Sequence, residues 1–147
     1  MDNRVDRPYR QIRVLVPMST YKRVNYGDIE PVSGAMHTLS DSLESKQVGV
    51  SMVRCEPGWR NQPHDHETND HEEIYILLEG AATVVIDDES LEMKAGDAIW
   101  IPPAATRQIR NGDEESAFVL VSAPASRCVT ATCGDEEAAW STSGFVG

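Results

Sequence analysis

Short apolar segments, each closed by a turn signal, follow one another at intervals of about ten residues through the middle of this chain. The first, at residues 48–53, alternates in polarity, is rich in β-branched residues and leads into the turn sequence Glu56-Pro57-Gly58. Such segments are typical of strands, whereas residues 33–46 are compatible with either one short helix or a loop. The pattern predicts an all-β sandwich or barrel, with further strands at residues 73–78, 82–86, 90–93, 98–101, 106–110 and 117–121.

The charge is divided unevenly along the chain. Residues 1–23 hold six basic and two acidic residues, whereas residues 24–147 hold seven basic and 22 acidic residues. A length of 147 residues is that of one domain. We therefore predict an N-terminal arm or extension at residues 1–20, a barrel at residues 21–125, and a C-terminal tail at residues 126–147 that packs on the barrel. Met18 could be a second start, which leaves open whether residues 1–17 are native.

The net charge of -11 limits the partners of this protein. A chain so acidic repels nucleic acid and anionic membrane surfaces, so we expect neither as a partner. Lysine supplies only three of the 13 basic residues. An acid-rich, lysine-poor surface stays soluble in concentrated salt, which is typical of a halophilic source such as a haloarchaeon. The alternative interpretation is an ordinary acidic cytosolic protein.

The sequence shows neither a membrane span nor an export signal. No apolar run approaches the ~18 residues of a membrane helix, and the N-terminus lacks the apolar stretch of a signal peptide. The cysteines, Cys55, Cys128 and Cys133, are odd in number, which argues against a disulfide framework. We therefore expect a cytoplasmic protein with reduced thiols.

Three of the four histidines lie within eight residues, in a segment that also holds several acids. His64 and His66 are two residues apart, so on a strand both imidazoles point to the same face. Glu73 opens the next predicted strand and can point into the same cavity. Two histidines and one carboxylate suit a divalent transition metal such as Zn, Fe, Ni or Mn, and they leave coordination positions open. The alternative is a polar surface loop without a metal.

The residues around this cluster resemble the first conserved motif of the cupin superfamily, and residues 96–111 resemble the second. The loop between His66 and Glu73 is longer than is usual in that family. The two motifs span residues 58–111, and strand content extends the likeness to about 45–123. The resemblance implies a single small cupin domain, a double-stranded β-helix or jelly-roll barrel with a metal in its mouth. The matching motif positions are Gly58, His64, His66, Glu73, Gly80, Gly96, Pro102 and Asn111.

The second motif departs from the family pattern at a ligand position. Where the family supplies a histidine, this sequence has Arg107. Arginine stays protonated and offers only donors, so it does not bind a metal cation. The resemblance therefore implies a ligand set reduced to His64, His66 and Glu73. His71, two residues before Glu73, is a candidate further ligand or acid/base group.

Three orientations of Arg107 are open from the sequence. In the first, its planar guanidinium points at an anionic substrate that is bound on the metal. In the second, it pairs with Glu73 or Glu72, and its charge takes the place of the metal. In the third, it turns outward and has a structural role.

The resemblance implies a fold and a metal but not a reaction. Our leading hypothesis for function is a small metal-dependent enzyme that acts on a small, anionic metabolite. In this hypothesis Arg107 orients the substrate, and His71 serves as an auxiliary ligand or as an acid/base group. The alternative is a non-catalytic binding or sensor protein in which Arg107 replaces the fourth ligand or the metal. By analogy with single-domain cupins we also expect a homodimer.

Weaker expectations concern residues close to the motifs. We expect Tyr75, Trp100 and Ile101 to pack inside the barrel, with a role in lining a substrate pocket as the alternative. Cys55 is a remote candidate for a third ligand. Gln62 precedes the first histidine by two residues and could face inward as well.

Overall fold

The computed structural model describes residues 20–126, which form two antiparallel β-sheets packed face to face. A 3-10 turn at Tyr26–Asp28 precedes the first strand, and a short helix, α1 (Leu39–Leu43), follows it. The predicted all-β fold is confirmed. The strands are β1 (Met36–Thr38), β2 (Gly49–Cys55), β3 (His71–Glu79), β4 (Ala81–Ile86), β5 (Glu89–Lys94), β6 (Ala98–Ile101), β7 (Arg107–Asn111) and β8 (Ser116–Pro124).

The order of the strands determines where the histidine segment lies. The first sheet has the order β1-β2-β8-β3-β6, and the second has the order β5-β4-β7. Residues 60–64 run along the other edge of β7, through isolated bridges that join Arg60 to Arg110 and His64 to Arg107. This segment therefore extends the second sheet and carries the first histidine to the edge of β7.

One apolar cluster fills the space between the sheets. Val53, Leu77 and Phe118 contribute to it from the first sheet, and Val84 and Ile109 contribute from the second. Each of the five side chains is at most 1% exposed. Successive residues of a strand point to opposite faces. The apolar residues of the alternating sequence therefore form the inner face of each sheet.

Trp100 does not pack inside the barrel, so that expectation is wrong. Tyr75 and Ile101 are buried as expected, but Trp100 is 61% exposed. It lies on the outer face of β6, in register with Ile74 of β3, which is itself 39% exposed. Since β6 is apolar on both faces, its sequence does not show which face is the inner one.

Residues 33–46 contain both a strand and a helix. The helix α1 is one of the two alternatives expected for this segment, whereas β1 was not predicted because three residues are too few to show a period. Both elements depend on neighbours in the fold. The hydroxyl of Ser40 donates to the carbonyl of Val50 at 3.3 Å and accepts from its amide at 3.2 Å, which ties α1 to β2.

The predicted barrel at residues 21–125 falls within the described residues. The predicted arm at residues 1–20 and tail at residues 126–147 lie outside them, apart from one residue each, as do Cys128 and Cys133. Cys55 is a free, buried thiol, and burial raises its pKa. Between residues 20 and 126, no helix has the length and the apolar character needed to cross a bilayer.

Asn111, at the end of β7, connects the two sheets by hydrogen bonds. Its side-chain amide donates to the carbonyls of Cys55 at 3.2 Å, Glu56 at 2.7 Å and Glu114 at 2.9 Å. Its side-chain oxygen accepts from the hydroxyl of Ser116 at 2.7 Å. Since Cys55 ends β2 and Ser116 begins β8, one buried side chain joins the second sheet to two strands of the first.

We expect Asn111→Asp to lower the free energy of unfolding by about 2–4 kcal/mol, because a carboxylate cannot donate and would face three carbonyl oxygens. Urea denaturation measures the change. Asn25→Asp is the matched control, since Asn25 only accepts a hydrogen bond, from the amide of Gly27, and should change stability by no more than ~0.5 kcal/mol. Equal losses in the two variants would contradict the assigned role of Asn111.

Glycine is required at position 80 for two reasons, a positive φ angle and the close approach of another segment of the chain. It turns the chain between β3 and β4 with a positive φ of 78°, and a Cβ there would collide with the backbone of Glu115 and Ser116. Gly58 has nearly the same φ, 77°, but a Cβ there would meet nothing within 4 Å. We expect Gly58→Ala to cost about 1 kcal/mol for backbone strain alone. Gly80→Ala should cost clearly more, and equal denaturation midpoints would refute the packing argument.

Candidate metal centre

His64 and Arg107 form a hydrogen-bonded backbone pair at the edge of the second sheet. The amide of His64 donates to the carbonyl of Arg107 at 3.1 Å, and the amide of Arg107 donates to the carbonyl of His64 at 2.8 Å. Residues paired in this way project their side chains to the same face. The backbone therefore places the side chain at position 107 beside the first histidine.

The other two members of the cluster come from the loop and from β3. The amide of His66 donates to the carbonyl of Pro103 at 2.9 Å, which fixes this part of the loop against the turn after β6. Glu73 lies on the inner face of β3 and is 8% exposed. One ligand atom each from His64, His66 and Glu73 lies within 4.8 Å of the others, and no second such group occurs among residues 20–126.

The atoms of this cluster fit a divalent transition metal. Nδ1 of His64 lies 2.9 Å from the carbonyl of Gln62 and donates to it, which leaves Nε2 as an acceptor. Burial lowers the pKa of His66, and the charge of Arg107 lowers it further, whereas the Glu73 carboxylate acts in the opposite direction. The net effect is a lowered pKa, so the imidazole is neutral at neutral pH, as metal ligation requires. Oε1 of Glu73 is buried without a hydrogen-bond partner, although Nε2 of His66 lies 3.0 Å away.

Arg107 is fully buried, and backbone carbonyls hold the end of its side chain. Nη1 donates to the carbonyls of Ala105 at 2.8 Å and Pro103 at 3.4 Å, and Nη2 donates to the carbonyl of Pro102 at 3.1 Å. Nε lies 3.3 Å from Oε1 of Glu73, without the alignment of a hydrogen bond. The guanidinium is therefore fixed in the wall of the barrel with one side toward the carboxylate.

This arrangement bears on the three orientations that the sequence left open. An outward Arg107 does not occur in the structure, since the residue is 0% exposed. The guanidinium faces Glu73, as in the second orientation. Its two terminal nitrogens donate to backbone carbonyls rather than to Glu73. Whether Arg107 has a catalytic role stays a prediction.

His71 lies near the cluster but outside the group of ligand atoms. It begins β3 on the same face as Glu73, and its amide lies 3.4 Å from the carbonyl of His66, to which it donates. Its imidazole is not among the atoms that approach within 4.8 Å of one another. Its proposed part as ligand or acid/base group therefore stays a prediction.

The two weaker ligand candidates, Gln62 and Cys55, lie at different distances from the cluster. Gln62 contributes its backbone carbonyl, while the residue itself is exposed. Cys55 pairs with Ser116 on β8, whereas Glu73 pairs with Ser122 on the same strand. Six residues of strand separate these positions by roughly 20 Å, so the thiol is remote from the cluster.

Two features of the site were missed by sequence reasoning. The carbonyls of Pro102, Pro103 and Ala105 around the guanidinium have no sequence signal, because every residue carries a carbonyl. Tyr75 was expected to pack or to line a substrate pocket, but its proximity to Glu73 was not foreseen: burial and the neighbouring carboxylate of Glu73 raise its pKa. Its position two residues after Glu73, on the same face of β3, was the signal that could have placed it beside the site.

Comparison with known proteins agrees with this geometry. The cupin domain family matches residues 51–123. A dimethylsulfoniopropionate lyase of Ruegeria pomeroyi is 30% identical over 113 residues, which cover 76% of this chain and 69% of that protein. The chain belongs to the cupin superfamily.

Two further likenesses differ in extent. An uncharacterized protein of Methanocaldococcus jannaschii is 46% identical to this cupin over 48 residues, but the match covers only 33% of this chain and 37% of that protein. The crystal structure of a cupin protein from Bacteroides fragilis superposes with a TM-score of 0.65 at 29% identity. That superposition covers 76% of this cupin and 90% of the other chain, so most of each chain shares the fold.

We expect Arg107→Met to lower the free energy of unfolding by about 3–5 kcal/mol, because it leaves the Glu73 carboxylate buried without a countercharge. Adding Glu73→Gln should recover part of the loss, with a coupling of about 1 kcal/mol or more in a double-mutant cycle. Arg54→Met is the matched control. Its ion pair with Glu79 at 3.1 Å is solvent-exposed and should be worth no more than ~1 kcal/mol. Additive effects of the two substitutions would rule out a buried ion pair.

Proposed function

We propose that this cupin binds a divalent transition metal ion through His64, His66 and Glu73 and acts on a small, anionic metabolite at the open coordination positions. The observation that carries the proposal is the convergence of the three ligand atoms within 4.8 Å. The buried and unpartnered Oε1 of Glu73 supports it, since a bound cation would satisfy that oxygen. When bound, such an ion supplies Lewis-acid chemistry, or dioxygen activation if it is iron.

The residues of this chain have separate tasks in the proposal. Gln62 orients the imidazole of His64 through its carbonyl, and Arg107 places a positive charge 3.3 Å from Oε1 of Glu73. His71, at the start of β3, is the nearest candidate for moving a proton or for adding a ligand. The R. pomeroyi relative is named as a dimethylsulfoniopropionate lyase, and the carboxylate of that compound is the kind of group that we propose to bind at the metal in this chain.

A second candidate is a non-catalytic binding or sensor protein in which Arg107 takes the place of the metal. The distance of 3.3 Å between Nε of Arg107 and Oε1 of Glu73 favours it. The poor hydrogen-bond geometry between these two groups argues for the first candidate. A guanidinium that replaced the metal would be expected to bind the carboxylate with two good hydrogen bonds. Here the terminal nitrogens donate to backbone carbonyls instead.

The remaining sequence-based expectations stay predictions. They are a homodimer, a cytoplasmic location and a halophilic source. Which metal ion is bound is likewise a prediction, with Zn, Fe, Ni and Mn as the candidates suited to this donor set.

Elemental analysis of protein purified without a histidine tag tests the proposal. We expect about one transition metal ion per chain after reconstitution, and its loss in His64→Ala/His66→Ala, because three donors are the fewest that hold such an ion firmly. His37→Ala is the control, since His37 bonds the carbonyl of Ile29 and lies outside the cluster. Protein that takes up no metal, or the same amount in every variant, would favour the non-catalytic binder.

A further inference from the structure

We propose that this site binds its metal ion and a small anion cooperatively, each raising the affinity for the other, and that the buried charge of Arg107 strengthens this coupling. The inference rests on the proposed metal site and goes beyond it. It assigns to Arg107 a positioning role, in which the residue acts through the charge balance of the site rather than by contact with the ligand.

The charge of Arg107 is permanent and cannot move away. A guanidinium stays protonated in proteins, and this one is 0% exposed with its terminal nitrogens on three backbone carbonyls. Within the described residues, Glu73 supplies the one carboxylate oxygen within ion-pair distance of it, at 3.3 Å. Before any metal binds, the single negative charge of Glu73 is already matched.

A divalent ion on the same carboxylate changes this balance. The two imidazole ligands bind as neutral groups and bring no charge, so the occupied site would carry an excess of two positive charges. Like charges a few ångströms apart repel strongly where little water screens them. The metal therefore binds against an unfavourable field that the fixed guanidinium creates.

Within the described residues, no second carboxylate joins the converging ligand atoms of the cluster. The group of converging ligand atoms in residues 20–126 contains Glu73 as its only acid. The acids of the preceding loop, Asp65, Glu67 and Asp70, are exposed, and Asp65 accepts a hydrogen bond from the amide of Glu67. In this proposal the balancing negative charge comes from a ligand in solution, and the open coordination positions of the metal are where a carboxylate or a similar oxyanion would bind.

The consequence is a measurable coupling between the two ligands. If the anion strengthens metal binding by some factor, the metal strengthens anion binding by the same factor. We expect a factor of about ten or more, within the range usual for coupled sites.

Titration with Mn²⁺ tests this, with free Mn²⁺ counted by electron paramagnetic resonance. Propionate is the anionic probe, propionamide is a neutral control of the same shape, and sodium perchlorate keeps the ionic strength constant. We expect propionate to lower the Kd for Mn²⁺ about tenfold or more and propionamide to leave it unchanged. Calorimetry should show the same factor for propionate with and without Mn²⁺.

The outcomes separate this inference from the proposal on which it rests. If Mn²⁺ binds with the same Kd in propionate and in propionamide, the proposed coupling is wrong, but the proposed metal site is still supported. No binding of Mn²⁺ under any condition, with Zn²⁺ and Ni²⁺ also failing in calorimetry, would overturn both.

Variants at position 107 test the cause of the coupling. Arg107→Gln removes one of the two excess positive charges, so it should tighten Mn²⁺ binding without propionate and lower the coupling factor several-fold, to the part that comes from direct coordination of propionate to the ion. Arg54→Gln, which removes an exposed arginine outside the site, should keep the full factor. Full coupling in a folded Arg107→Gln protein would overturn the assignment to Arg107. If that variant does not fold, the measurements on the native protein still decide whether the coupling exists.

Discussion

A permanent positive charge lies where no solvent reaches it, and the turn after β6 is arranged around that charge. Burying a guanidinium is costly unless it is hydrogen-bonded and has a countercharge nearby. Three carbonyls from residues 102–105 accept from Arg107, and Glu73 faces it from the opposite sheet. Two of these carbonyls belong to Pro102 and Pro103, whose fixed φ angles make the turn stiff.

The carboxylate of Glu73 has two tasks in this barrel. It is the countercharge of Arg107, and it is the only acid in the group of converging ligand atoms within the described chain. A carboxylate shared between a fixed cation and a metal ion neutralises neither fully. In the proposed metal-bound state, this sharing distinguishes the site from one with four uncharged or anionic ligands, and it would make the occupancy of the metal site depend on the charge of the small molecule.

Much of the fold could be predicted from the sequence, because alternation and turn residues act locally. The strands around Glu73 and Ile109 followed from their patterns. The spacing of His64 and His66 predicted a shared strand face, whereas the structure places them in a loop with one isolated bridge at His64. The exposure of Trp100 could not be predicted, because a strand that is apolar on both faces gives no signal for the inner one. The partners of Arg107 could not be predicted either, because they are backbone atoms that only the folded turn brings together.

The backbone pair between His64 and Arg107 also has an evolutionary meaning. Position 107 lies directly opposite a histidine that faces the cluster, so a residue exchanged there meets the same surroundings without any movement of the main chain. Some arginine codons become histidine codons by a change at one base. One point mutation at position 107 could therefore convert a barrel with this chain's reduced donor set into one with a complete set of imidazoles, or the reverse.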